Sequence, residues 1–112
     1  MKKVLITGAA KRLGRDLALH FGKRDYFVWI HYNNSKNEAE DVLKKINSSG
    51  GTGTLIQGDI SQYSQVRSMA ENIRLEGGDL NLLINNVGQY STGEITKFPV
   101  KNFELIINTN LL

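Results

Sequence analysis

No cysteine occurs in this 112-residue chain, which excludes disulfides and thiolate-held metals and suits a reducing compartment. Proline occurs once, at Pro99, so little interrupts the helical periodicities. No tract of one charge is present. Fourteen Lys and Arg stand against 11 Asp and Glu, a net charge of +3, and the basic residues come as pairs such as Lys2-Lys3 and Lys11-Arg12. A nucleic-acid-binding stripe needs a denser cluster, so no nucleic-acid partner is expected. No apolar run approaches the roughly 20 residues of a membrane span, and Thr7-Gly8 interrupts the opening too soon for a secretory signal. Cytoplasmic work away from membranes is therefore expected. His20 and His31 have no second histidine or carboxylate at metal-ligand spacing, so no metal site is expected either.

What is present is an alternation of short aliphatic or β-branched runs with helical periodicities. Lys3–Thr7 reads as a buried strand, followed by a helix over Arg12–Lys23 with Leu13, Leu17, Ala18 and Phe21 on one face. Tyr26–His31 is a second strand with Trp29 in the core, and Asn37 to about Asn47 a helix carrying Ala39, Val42, Leu43 and Ile46. Thr54–Gln57 is a third strand. Ser61 can cap a helix carrying Val66, Met69, Ala70 and Ile73, closed by Gly77-Gly78. Leu80–Asn85 is a fourth strand, and Pro99 opens a helix with Phe103, Ile106 and Ile107. Four strand-helix units without a hairpin signal predict an α/β fold, a Rossmann-type doubly wound parallel sheet with helices on both faces. The last helix still runs at Leu112. The sheet is thus expected to be incomplete, and residues 1–112 to be the N-terminal portion of a longer dinucleotide-binding domain.

The turn after the first strand, Thr7-Gly8-Ala9-Ala10-Lys11-Arg12-Leu13-Gly14, delivers a helix N-terminus with its free N–H groups and dipole, the geometry that meets nucleotide phosphates. Gly8 suits the tight turn, and Gly14 lets the helix approach strand and cofactor. The place often held by a middle glycine holds Arg12. An enzyme selecting NAD usually carries an acid about 20 residues beyond this loop, for the ribose 2′-hydroxyl. Residues 26–36 contain none. Arg12 supplies a fork-shaped cation, Asn33, Asn34 and Ser35 supply hydrogen-bond donors, and Lys36 can add charge, so NADP is the expected cofactor.

With these features in view, the chain resembles the short-chain dehydrogenase/reductase family. The loop above is similar to that family's cofactor loop, and Asn85-Asn86-Val87-Gly88 resembles its Asn-Asn-Ala-Gly motif with Val87 replacing alanine. Gly58-Asp59-Ile60 matches the segment whose aspartate meets the adenine amino group, and Asn108-Thr109-Asn110-Leu111 places Asn110 at the catalytic asparagine. The loop and His31-Tyr32-Asn33-Asn34-Ser35 are further similar to pteridine reductases and related carbonyl reductases, although those often carry an arginine where Asn34 stands. The resemblance implies cofactor binding by Gly8, Lys11, Arg12, Leu13, Gly14, Asn33, Asn34, Ser35, Asp59, Ile60, Asn86, Val87 and Gly88. It also implies a small-molecule carbonyl or pterin-like substrate and a homo-oligomer.

Hydride transfer to a carbonyl requires a proton donor and a positive group that lowers the donor's pKa. The family supplies these as a serine and a Tyr-x-x-x-Lys pair beyond its catalytic asparagine, so only Asn110 of that set is expected within residues 1–112. Tyr32 and Lys36 spell Tyr-x-x-x-Lys, but they straddle a strand end at the adenosine side and are not expected to act in catalysis. A catalytically silent nucleotide-binding or interaction module is the rival reading. A receiver would need acids after the first strand and a flavodoxin a hydroxyl-rich loop, and Ala9-Ala10-Lys11-Arg12 offers neither.

Overall fold

A computed structural model describes residues 1–86. Strands β1 (Lys2–Ile6), β2 (Tyr26–Tyr32), β3 (Thr52–Gln57) and β4 (Leu82–Ile84) form one parallel sheet in the order β3-β2-β1-β4. Helices α1 (Arg12–Gly22), α2 (Lys36–Ser48) and α3 (Tyr63–Gly77) connect them. Val4 pairs with Val28 on one side and Leu82 on the other, and Ile6 with Ile30 and Ile84, so β1 is central. The chain steps outward from β1 to β3 and then crosses back to β4. That reversal puts the topological switch point between β1 and β4, the position where doubly wound sheets open a crevice at their strand C-termini.

Side-chain alternation assigns the two faces. Val4, Ile6, Val28 and Ile30 join Ala18 of α1 and Ala39, Val42 and Ile46 of α2 in one core. Leu5, Trp29 and Ile56 point the other way and pack with Val66, Met69, Ala70 and Ile73 of α3. Because both faces are covered, β1 and β2 need apolar residues at successive positions, which explains their unbroken hydrophobic runs.

The structure revises several sequence-based boundaries. Strand β3 starts at Thr52, before Thr54, because Thr52 and Gly53 already pair with Phe27 and Val28 of β2, so closely at Gly53 that a Cβ there would sit 2.6 Å from the Val28 carbonyl oxygen. Strand β4 is shorter than Leu80–Asn85. Leu80 is spent in the α3-side core, and Asn81 closes a two-bond bracket on Lys3, its N–H to the Lys3 carbonyl and its Oδ1 from the Lys3 N–H (2.9 and 2.8 Å). Ser61 does not cap α3. Its N–H and hydroxyl both donate to Asp59 Oδ1 (2.9 and 2.7 Å), and the helix begins at Tyr63 with Gln62 in the capping position. Leu13 is not a core residue either, being 62% exposed. Ala18 is buried and Leu17 and Phe21 pack against the core as expected, and Gly14 and Gly22 join Ala18 on the buried face, small residues that let this helix ride close to the sheet and to Ile46 of α2. The helix expected from Pro99 lies outside the described residues.

Candidate functional site

At the carboxyl ends of β1, β2 and β3 the turns enclose a cleft of about 740 Å³, within the range typical of small-molecule sites. Gly8, Lys11, Arg12 and Leu13 line it from the β1–α1 turn, Asn33, Asn34 and Ser35 from the end of β2, and Asp59 and Ile60 from the end of β3. Asn86 closes the β4 side. These sequence-assigned positions therefore converge. Gly14 stands just behind them, while Val87, Gly88 and Asn110 lie outside the described residues. Ala10, His31, Tyr32 and Ser61 complete the lining.

The floor is built by Thr7. Its N–H donates to the Ile84 carbonyl (3.1 Å), and its buried hydroxyl accepts the Asn86 N–H (2.9 Å). Asn86 Nδ2 in turn donates to the Gly8 carbonyl (3.2 Å), so the ends of β1 and β4 are fastened across the switch point. Thr7→Val keeps the shape and leaves the Asn86 N–H without its acceptor. We expect a loss of about 1–2 kcal/mol in stability, read by urea denaturation, with the sheet retained.

The β1–α1 turn is held in a special backbone state. Gly8 has φ +61°, and Arg12 has φ +53°, unusual for a residue with a Cβ and the kind of local strain that accumulates at functional sites. A Cβ on Gly14 would fall under 3.0 Å from both the Gly8 carbonyl oxygen and Asn86 Nδ2. No side chain caps α1, and its first turn contains no acid, so the dipole at this helix end, where Arg12 and Leu13 line the cleft, is uncompensated. Lys11 forms a 3.8 Å ion pair with Glu38 of α2. Arg12 is exposed on the cleft wall and makes no ion pair among the described residues. Among the described residues Asp59 is the one acid in the lining, and the end of β2 presents none.

His31 is the residue that sequence reasoning undervalued. It is 2% exposed, accepts the Gly8 N–H at Nδ1 (2.9 Å), and brings Nε2 to 2.8 Å from the Gly58 carbonyl. Its own carbonyl accepts the Ala9 N–H (2.9 Å). The available signal was a lone polar residue ending an apolar run in a strand that must be buried on both faces. Burial pushes the imidazole below its ordinary value of 6.5, against the opposing pull of the Gly58 carbonyl and the Asp59 charge. A histidine kept neutral in the folded state takes up its proton more readily once unfolded. Its contribution to stability is therefore present above pH 6.5 and lost as pH falls through the folded-state value. Denaturation midpoints are expected to drop on acidification from 6.5, with a shallower drop in His31→Asn.

Tyr32 ends β2 and Lys36 begins α2, so the two do not share a helix face, and Lys36 is outside the cleft lining. Among the described residues there is no cluster able to hold a metal, and no helix is long and apolar enough to cross a membrane.

Strand order, central β1 and the switch-point cleft define a Rossmann-type doubly wound α/β protein. The sequence profile of the short chain dehydrogenases matches residues 2–112, and the chain belongs to the short-chain dehydrogenase/reductase family. It is 30% identical over 110 residues to the 3-oxoacyl-acyl-carrier-protein reductase FabG of Staphylococcus aureus, a match covering 98% of this chain and 45% of that protein. This chain thus spans about half the length of the curated relatives it matches. Among solved structures, the angucycline C-6 ketoreductase LanV with bound NADP superposes with a TM-score of 0.72 at 25% identity, over 90% of this chain and 43% of that one. A hydroxysteroid dehydrogenase from Escherichia coli shares the fold, with a TM-score of 0.79 at 21% identity over 97% of this chain and 50% of that one.

Proposed function

We propose that the cleft binds NADP(H), and that residues 1–112 form the cofactor-binding half of a reductase acting on a small carbonyl or pterin-like substrate. The observation that carries this reading is the electrostatic pattern of the cleft: an uncapped α1 N-terminus beside Arg12, and no carboxylate at the end of β2. The residues fit the group. Gly8 takes the positive φ of the turn, and Gly14 lets α1 seat against the Gly8 carbonyl and Asn86, where a Cβ would clash, which brings the helix N-terminus up to the turn as a bound pyrophosphate requires. In this reading Arg12, Asn33, Asn34 and Ser35 receive the 2′-phosphate, which an acid there would repel. Asp59 and Ile60 meet the adenine end, and Asn86 with Val87 and Gly88 borders the ribose. NADPH supplies the hydride when bound, and Asn110 takes the role of the family's catalytic asparagine. The name of the FabG relative supports a carbonyl substrate, and that of LanV supports NADP. We further place the enzyme in the cytoplasm as a homo-oligomer. The test is NADPH consumption by the intact protein against a 3-oxoacyl thioester, simple aldehydes and ketones, and an oxidised pterin. Turnover of at least one is expected. Binding without turnover would point to a silent nucleotide-binding module, and absence of binding would overturn the reading.

A further inference from the structure

The cleft's walls come from different turns, and one side chain ties two of them together. Gly8 can only donate to His31 Nδ1, so that nitrogen must carry a lone pair. The proton then resides on Nε2, where it donates to the Gly58 carbonyl. A single neutral tautomer satisfies both contacts. The His31 carbonyl adds the Ala9 N–H, so one residue of β2 holds two successive N–H groups of the β1–α1 turn and anchors them to the β3–α3 turn.

We propose that His31 is the positioning residue of this cleft: its neutral ring clamps Gly8 to Gly58, and only the clamped form presents the α1 N-terminus for tight cofactor binding. The inference rests on the NADP(H) reading above. Protonation would set a second N–H against the Gly8 N–H at 2.9 Å, replacing an attraction by a repulsion and releasing the turn. The charged groups around the ring are few. Asp59 faces it from the β3–α3 turn and favours the imidazolium, but its Oδ1 is already held by Ser61. Lys11 and Arg12 border the same cleft from the β1–α1 turn, while Tyr32 to Ser35 bring no formal charge. Burial of the ring adds to the preference for the neutral form.

If only the neutral form binds well, the apparent Kd rises by about tenfold per pH unit once pH is below the ring's own pKa. By linkage, bound cofactor must lower that pKa in return. The test is performed on the intact protein. The Kd for NADP+ is measured from about pH 8 to about pH 5 for wild type and for His31→Asn, whose Oδ1 can accept the Gly8 N–H without titrating. In parallel, ¹⁵N NMR follows the wild-type ring with and without NADP+. Titration of the 2′-phosphate is common to both proteins and cancels in their ratio. The expected result is a wild-type Kd that weakens with acid more steeply than that of His31→Asn, an Nε2–H tautomer, and a ring pKa lowered by NADP+. Parallel Kd profiles, or a ring pKa unchanged or raised by NADP+, overturn the proposal. Should His31→Asn fail to fold, the wild-type ring titration decides alone. Failure of wild type to bind at pH 8 would overturn the cofactor reading and this inference together, whereas binding at pH 8 with parallel profiles would remove the inference only.

Discussion

Gly14→Ala is expected to abolish measurable NADP(H) binding and to lower stability by about 3 kcal/mol, the upper end of ordinary overpacking costs. The added methyl would fall under 3.0 Å from the Gly8 carbonyl oxygen and from Asn86 Nδ2. The first is backbone, and the second is held by its bond to that same carbonyl (3.2 Å). Neither can yield alone. Relief requires α1 to lift from the turn, which separates the helix N-terminus from Gly8 and opens the fastening between β1 and β4. Gly58→Ala provides the contrast. The nearest atoms there belong to the flexible Met69 side chain, so a cost of about 1 kcal/mol is expected. Urea denaturation and fluorescence titration with NADPH measure both variants. Near-parental NADPH affinity in Gly14→Ala would show that the close approach of α1 to the turn does not matter to the site.

The second large effect concerns the choice of cofactor. Arg12→Ala is expected to weaken NADPH binding by about 10- to 100-fold, corresponding to loss of charge-assisted hydrogen bonds worth roughly 1.5–3 kcal/mol, and to leave NADH binding little changed. The comparison is clean because alanine also carries a Cβ. The positive φ at this position is thus neither relieved nor worsened in kind. Arg12→Glu should go further and reverse the preference, since a carboxylate repels the 2′-phosphate. Lys11 serves as the control. Its ammonium is already directed to Glu38, so Lys11→Ala should cost NADPH affinity far less than Arg12→Ala. Equal losses for the two cofactors in Arg12→Ala would place Arg12 at the pyrophosphate or outside the site, and would remove the main argument for NADP.

Much of this architecture is legible in the sequence because the physical signals are local. Apolar runs too continuous for a half-exposed sheet require both faces to be covered, and α3 places Val66, Met69, Ala70 and Ile73 inward as their spacing predicts. The Gly8-to-Gly14 turn is readable for the same reason, since strand, glycine and helix follow one another directly. What escaped is set by distant partners. Leu13 matches the helical stripe but is exposed and lines the cleft, and Gly22, which no hydrophobicity pattern marks, is buried on the face of α1 beside Ile46. Ser61 looks like a helix cap until Asp59, two residues earlier, takes both its donors. Thr7 and His31 act on groups 79 and 23 residues away, Asn86 and Gly8. No spacing rule reaches that far. A polar residue inside a strand buried on both faces is nevertheless a demand for partners, and read that way His31 announces a contact even where its identity is hidden.

The central claim is that the cleft at the β1/β4 switch point is an NADP(H) site, and calorimetric titration of the intact protein with NADPH and then NADH near pH 8 tests it most directly. NADPH is predicted to bind at least about tenfold more tightly, the smallest difference consistent with a charge-assisted contact to the 2′-phosphate. Equal or tighter binding of NADH, or no heat from either cofactor, would contradict the account.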